Sequence, residues 1–130
     1  MKAEELMIGD WVRVIPYKKN GRIYRIDYTN GKGNEYVAVI DGDFDIGLLE
    51  PIPITPEILE KNGFKKQGFP GWEIYTDDYQ ILWRCDYNPG ILDIRSFNTY
   101  FGNYTRFYTK YVHELQHALR LCGIDKTIEL

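Results

Sequence analysis

The sequence predicts an α+β fold: an N-terminal SH3-like small β-barrel or bent meander, a short connector helix, and a C-terminal antiparallel sheet with one packed helix. Three observations carry this reading. Aromatic residues make up 15% of the 130 residues, with 11 Tyr, 6 Phe and 3 Trp, and such residues favour sheets over helix bundles. Turn dipeptides recur between short β-rich runs through residues 10 to 52. Helical signals occur after Thr55 and over residues 110 to 122.

Asp10 to Ile15 is the first β-rich run, and Asn20-Gly21 supplies the residue types of a type I′ hairpin turn into a second, Arg22 to Tyr28. A longer turn, Asn30 to Asn34, precedes a third run, Tyr36 to Ile40. Asp41-Gly42 then turns the chain into Phe44 to Leu49. So many short strands in so few residues cannot shield two flat faces, which argues for a bent sheet or small barrel. The prolines of Pro51-Ile52-Pro53-Ile54 break the pattern, giving two parts, 1–54 and 55–130, that can share one core. Thr55-Pro56-Glu57 is a helix start and Asn62-Gly63 its stop. Strands follow at Trp72 to Thr76, Tyr79 to Asp86 and Ile91 to Phe97. In the second of these, Tyr79, Ile81, Trp83 and Cys85 share the predicted core face, and Gln80, Leu82, Arg84 and Asp86 share the other. The last helix ends at Gly123, with Ile124 as its apolar stop contact.

A hydrophobic fraction of 44% and a charged fraction of 27% belong to a folding domain and exclude a disordered or collagen-like chain. No apolar run approaches the length that crosses a bilayer, and the acidic start Met1-Lys2-Ala3-Glu4-Glu5 lacks a signal peptide's apolar stretch. The expectation is a cytoplasmic protein without a membrane partner. The net charge of -3 opposes a global electrostatic grip on nucleic acid. Cys85 and Cys122 lack a second pair at metal-ligand spacing and read as buried thiols.

Ile8-Gly9-Asp10-Trp11-Val12, the stretch from Glu50 to Phe64, and Tyr111-Val112-His113-x-Leu115-Gln116 together resemble a family of small uncharacterised proteins of gut Bacteroidetes genomes and their phages or mobile elements. The resemblance spans almost the whole chain in order, and the proline-flanked helix is its most specific part. It implies origin and context, and brings no activity, substrate or catalytic residue.

His113-Glu114-Leu115-Gln116-His117 fits H-E-x-x-H, the string with which zinc proteases place two imidazole ligands, His113 and His117, on one helix face and a general base, Glu114, between them. Three points weigh against zinc here. On a helical wheel both histidines fall nearly opposite the centre of the apolar arc of Val112, Tyr111, Leu115, Ala118, Leu119 and Cys122, so they are expected toward solvent or toward a neighbour across the helix. Downstream, Asp125 and Glu129 are the few candidates for a third ligand. The resembled family pattern also does without glutamate at 114. Asp41-Gly42-Asp43-Phe44-Asp45 lacks the glycine and glutamate that a calcium loop requires and reads as a hairpin.

Two stretches could bind a partner. Residues 94 to 111 interleave Arg95, Arg106 and Lys110 with Phe97, Tyr100, Tyr104, Tyr108 and other rings, without an acid, a pattern that stacks on bases or grips a peptide. Arg95, Tyr100, Tyr104 and Arg106 are its candidate contacts. Residues 17 to 32 form a basic hairpin with Lys18, Lys19, Arg22 and Arg25. The leading expectation is a non-catalytic binding or accessory module with a protein or peptide partner and no cofactor. The alternatives are a nucleic-acid-contacting module using the hairpin, and a zinc-dependent hydrolase using the histidine string.

Overall fold

Pro16 decides where the first hairpin turns. Trp11–Val14 forms β1 and Lys19–Asp27 forms β2, and between them Ile15–Tyr17 makes a 3-10 turn closed by Lys18 at a φ of 52°. Asn20 and Gly21, the turn expected from sequence, lie inside β2 opposite Arg13 and Val12. A proline lacks the N–H that a strand ladder needs, whereas its φ suits a 3-10 turn, so the reversal occurs earlier. The computed structural model describes residues 5–27, 36–39, 42–68, 71–97 and 104–130, in two compact units, Met1–Ile52 and Pro53–Leu130.

The first unit adds β3 (Tyr36–Val39), β4 (Gly42–Asp45) and β5 (Leu49–Glu50) in the antiparallel order β4-β3-β2-β1-β5. A register shift between Ile23 and Arg25 lets one half of β2 pair with β1 and the other with β3. Such a bulge increases local twist, and the bent sheet encloses Leu6, Val12, Val14, Ile23, Phe44 and Leu49. β4 and β5 end the strand order, and no pairing joins them among the described residues. Among the described residues this part is a bent meander, and no closed barrel is found. The Asn30–Asn34 turn and Asp41 lie outside the described residues.

The second unit opens with helix α1 (Pro56–Lys61), formed as its end signals dictate. Thr55 Oγ1 accepts from Ile58 N–H at 3.3 Å, and Gly63, at a φ of 88°, stops the helix as Phe64 N–H reaches back to Leu59 C=O at 2.9 Å. Next come β6 (Lys65–Gln67), β7 (Gly71–Tyr75), β8 (Tyr79–Arg84), β9 (Gly90–Ser96) and β10 (Tyr104–Thr109), an antiparallel sheet in the order β10-β9-β8-β7-β6. β6 and β10 go beyond the sequence prediction. Both are edge strands paired on one side; β6 is wholly exposed and β10 buries only Thr109, so neither shows the alternation that marks a half-buried strand.

Ile81, Trp83, Leu92 and Ile94 form one face of this sheet, each 5% exposed or less. The Trp83 indole covers Gly90, where a Cβ would stand 2.7 Å from the ring, and its N–H donates to Thr109 Oγ1 at 3.2 Å. Helix α2 (Val112–Leu121) buries Val112, Leu115, Ala118 and Leu119, and on the same face of β8 the Tyr79 hydroxyl donates to Cys122 C=O at 3.0 Å. The cysteines differ from expectation: β8 ends at Arg84, which leaves Cys85 exposed, and Cys122 is half-buried in the last turn, where burial pushes its thiol pKa up.

Beyond Gly123 (φ 73°) the chain folds back under two buried amides. Asn62 donates to Glu129 C=O and accepts from Glu129 N–H, both at 2.7 Å. Gln116 donates to Lys126 C=O at 2.8 Å and accepts from Ile128 N–H at 2.7 Å. A primary amide offers the same donor and acceptor as a peptide group, so the tail gains strand-like pairing without a strand, and Ile128 is buried to 1% exposure. No helix among the described residues is long and apolar enough to cross a membrane.

Gly90→Ala is expected to cost about 1 to 3 kcal/mol in denaturant melts and to shift the Trp83 fluorescence, because the indole must leave its place. Gln116→Ala removes both tail contacts; it is expected to cost about 1 to 3 kcal/mol and to raise the amide exchange rate at Ile128 relative to Leu92.

Candidate functional site

Because side chains alternate along each strand, the inward set of Ile81, Trp83, Leu92 and Ile94 sends their neighbours to the opposite face, away from α2. Cross-strand register places Tyr75 opposite Gln80, Gln80 opposite Arg95, and Arg95 opposite Tyr104; in parallel, Leu82 lies opposite Asp93, and Asp93 opposite Arg106. Tyr75, Phe97, Tyr104 and Tyr108 are each at least half exposed. Tyr75 and Phe97 stack in parallel with centroids 6.1 Å apart, and the Arg106 guanidinium lies 5.4 Å from the centroid of the Tyr104 ring.

The charges of this face are unevenly paired. Arg106 grips both oxygens of Asp93 at 2.8 and 3.1 Å, a fork that holds the guanidinium charged and raises its pKa further above the ordinary arginine value. Arg84 pairs with Asp86 at 2.8 Å. Gln80 donates to Glu73 at 3.2 Å and to the Tyr75 hydroxyl at 3.3 Å. The Arg95 side chain is exposed and makes no ion pair or hydrogen bond among the described residues. It lines a hollow of about 120 Å³ with Gln80, Leu82, Asp93 and Tyr104. A larger hollow of about 380 Å³ lies toward the β6 edge, lined by Gly63, Lys65, Gln67, Glu73, Ile74 and Tyr75.

Of the contacts predicted in residues 94 to 111, Arg95, Tyr104 and Arg106 meet on this face, and Tyr100 lies outside the described residues. The sequence reading missed Tyr75, Gln80 and Asp93 as members. Its signal was the second face of β8, polar at Gln80 and Arg84, whose strand partners only register reveals. The basic hairpin is less concentrated. Lys18 and Lys19 are exposed at the turn, Arg22 donates to Gly9 C=O at 3.3 Å and lies over Trp11, and Arg25 sits past the bulge opposite Ala38.

The histidine string has structural duties. Glu114 Oε1 accepts from Lys110 and Tyr111 N–H at 2.9 and 3.0 Å, closing the start of α2, the role an acid at this helix position commonly takes. His113 is buried, 4% exposed, contrary to the expectation of a surface pair. Tyr111 stacks parallel to its ring with centroids 5.9 Å apart, and half-buried His117 meets it edge-on at 5.6 Å. The wheel erred because it counted only apolar residues; the buried arc of α2 also includes Gln116, under the tail, and His113, under Tyr111. Among the described residues no group of three or more His, Cys, Asp or Glu side chains is placed to hold a metal ion.

The hydrogen bond from Tyr75 to Glu73, together with that carboxylate's charge, holds the phenol pKa above its ordinary value. In a tyrosine titration followed by NMR, Tyr75 is expected to ionise above about pH 10, the reference value, and Glu73→Gln is expected to lower its midpoint, since the neutral amide no longer opposes a phenolate. Comparisons with known protein families, curated proteins and solved structures find no match for this chain.

Proposed function

We propose that the chain is a non-catalytic, cytoplasmic binding module of phage or mobile-element origin, and that a protein or peptide partner docks on the sheet face opposite α2. The observation that carries this reading is the convergence of Arg95, Tyr104, Arg106, Tyr108 and Tyr75 on one face, with four aromatic rings, Tyr75, Phe97, Tyr104 and Tyr108, each at least half exposed. Tyrosine and arginine are the side chains that carry most binding energy at protein interfaces, since they offer large contact area together with directed hydrogen bonds. The origin rests on the resemblance of the Ile8–Val12, Glu50–Phe64 and Tyr111–Gln116 stretches.

The nucleic-acid reading draws less support. The chain carries a net charge of -3, and Arg22 of the basic hairpin already serves Gly9 and Trp11. The hydrolase reading draws little support from Glu114, whose Oε1 accepts from two backbone N–H groups at the helix start.

The test is selection from a random peptide library on immobilised protein, wild type beside the Tyr104→Ala, Tyr108→Ala double variant. Wild type is expected to enrich a common motif. The double variant is expected to bind the selected peptides about thirtyfold more weakly, the ~2 kcal/mol of a hot-spot residue. Binding that is unchanged in the double variant, or no enrichment at all, would overturn the assignment of this face.

A further inference from the structure

We infer that the hollow beneath Arg95 is an anchor site for a single carboxylate side chain, Asp or Glu, of an extended partner segment. This rests on the binding-face reading above.

Charge is the first argument. Two arginines and two acids share this part of the sheet, and both acids are engaged: Arg106 holds Asp93 through both oxygens, and Glu73 accepts from Gln80 and lies opposite Lys65. The remaining cation of the hollow is Arg95, whose side chain has no ion pair or hydrogen bond among the described residues. Arg84 and Arg106 each have a carboxylate of their own, so Arg95 differs from them in being available.

Shape is the second. Leu82 lines the hollow with apolar surface, and Tyr104, directly opposite Arg95, lines it with an exposed ring. A carboxylate entering there exchanges water for a guanidinium fork beside low-dielectric walls, where a charge-assisted hydrogen bond gains strength. At about 120 Å³ the hollow suits one small side chain and is well below the ~300 Å³ and upward of pockets for free small molecules.

Both arguments favour discrete acids over a nucleic acid strand. A strand brings a phosphate at every residue, and beside Arg95 it would meet Asp93, on a chain of net charge -3. A peptide can place one acid at Arg95 and uncharged residues beside it.

The probes are two capped tripeptides, acetyl-Ala-Glu-Ala-amide and acetyl-Ala-Gln-Ala-amide, titrated into the full chain while the Arg95 side-chain N–H and the Leu82 methyl signals are followed by NMR. The glutamate peptide is expected to give saturable shifts at both. Affinity is expected to fall about tenfold or more for the glutamine peptide, and again in Arg95→Gln, whose exposed position leaves the fold intact by circular dichroism. Equal affinity for the two peptides, no saturable shift, or shifts that persist in Arg95→Gln would overturn the anchor. Oligothymidylate that binds through Arg95, with a salt dependence of several ions, would overturn it in favour of nucleic acid. The library selection separates the two levels. Motifs that depend on Tyr104 and Tyr108 but carry no excess of acids leave the binding face standing and remove the anchor, whereas binding indifferent to the tyrosines removes both.

Discussion

Trp83 lies flat on Gly90 with its indole N–H on Thr109, and this contact sets the arrangement of the C-terminal sheet. One ring touches three adjacent strands: it belongs to β8, covers a residue of β9 and hydrogen-bonds to β10. A ring of that size finds room only where the facing residue has no Cβ, so the register of β8 against β9 cannot slip without a clash. Since strand side chains alternate with a period of two, fixing Trp83 inward also fixes Leu82 and Arg84 outward. The consequence spreads through the ladders to Asp93, Arg95, Tyr104 and Arg106. The outward face is therefore a by-product of how the core is pinned.

The same economy is visible in α2. Three residues of a string that resembles a zinc-protease motif serve the helix itself: Glu114 closes its first turn, Gln116 clamps the C-terminal tail, and His113 stacks under Tyr111. The buried amides of Asn62 and Gln116 are tolerated because each meets backbone partners of matching geometry. The amides of Asn62, which caps the end of α1, and of Gln116 in α2 together meet backbone groups of Lys126, Ile128 and Glu129, so the tail joins the end of α1 to α2. Polar side chains thereby extend the buried surface of α2 beyond its apolar stripe.

On the outward sheet face the chain leaves polar groups unevenly matched. Asp93 and Glu73 are engaged by Arg106 and Gln80, whereas the Arg95 side chain, beside Tyr104, has no ion pair among the described residues. Exposed rings and an exposed cation on a paired sheet cost little conformational entropy to present, which is a favourable starting point for recognition.

The sequence by itself determined the α+β class, both helices, the start and stop of α1, the stop of α2, and the two alternating faces of β8. These depend on residues within one turn or one strand of each other: Thr55 with Pro56, Gly63 with Phe64, Gly123 with Ile124. Local geometry suffices there, because a cap or a positive φ acts on its own neighbours. Tertiary structure alone decided the edge strands β6 and β10, the burial of His113, and the meeting of Tyr75, Gln80, Arg95 and Tyr104 on one face. An edge strand is defined by the partner it pairs with, and a binding face by the register of several strands at once, so both are set by contacts between residues far apart in the chain.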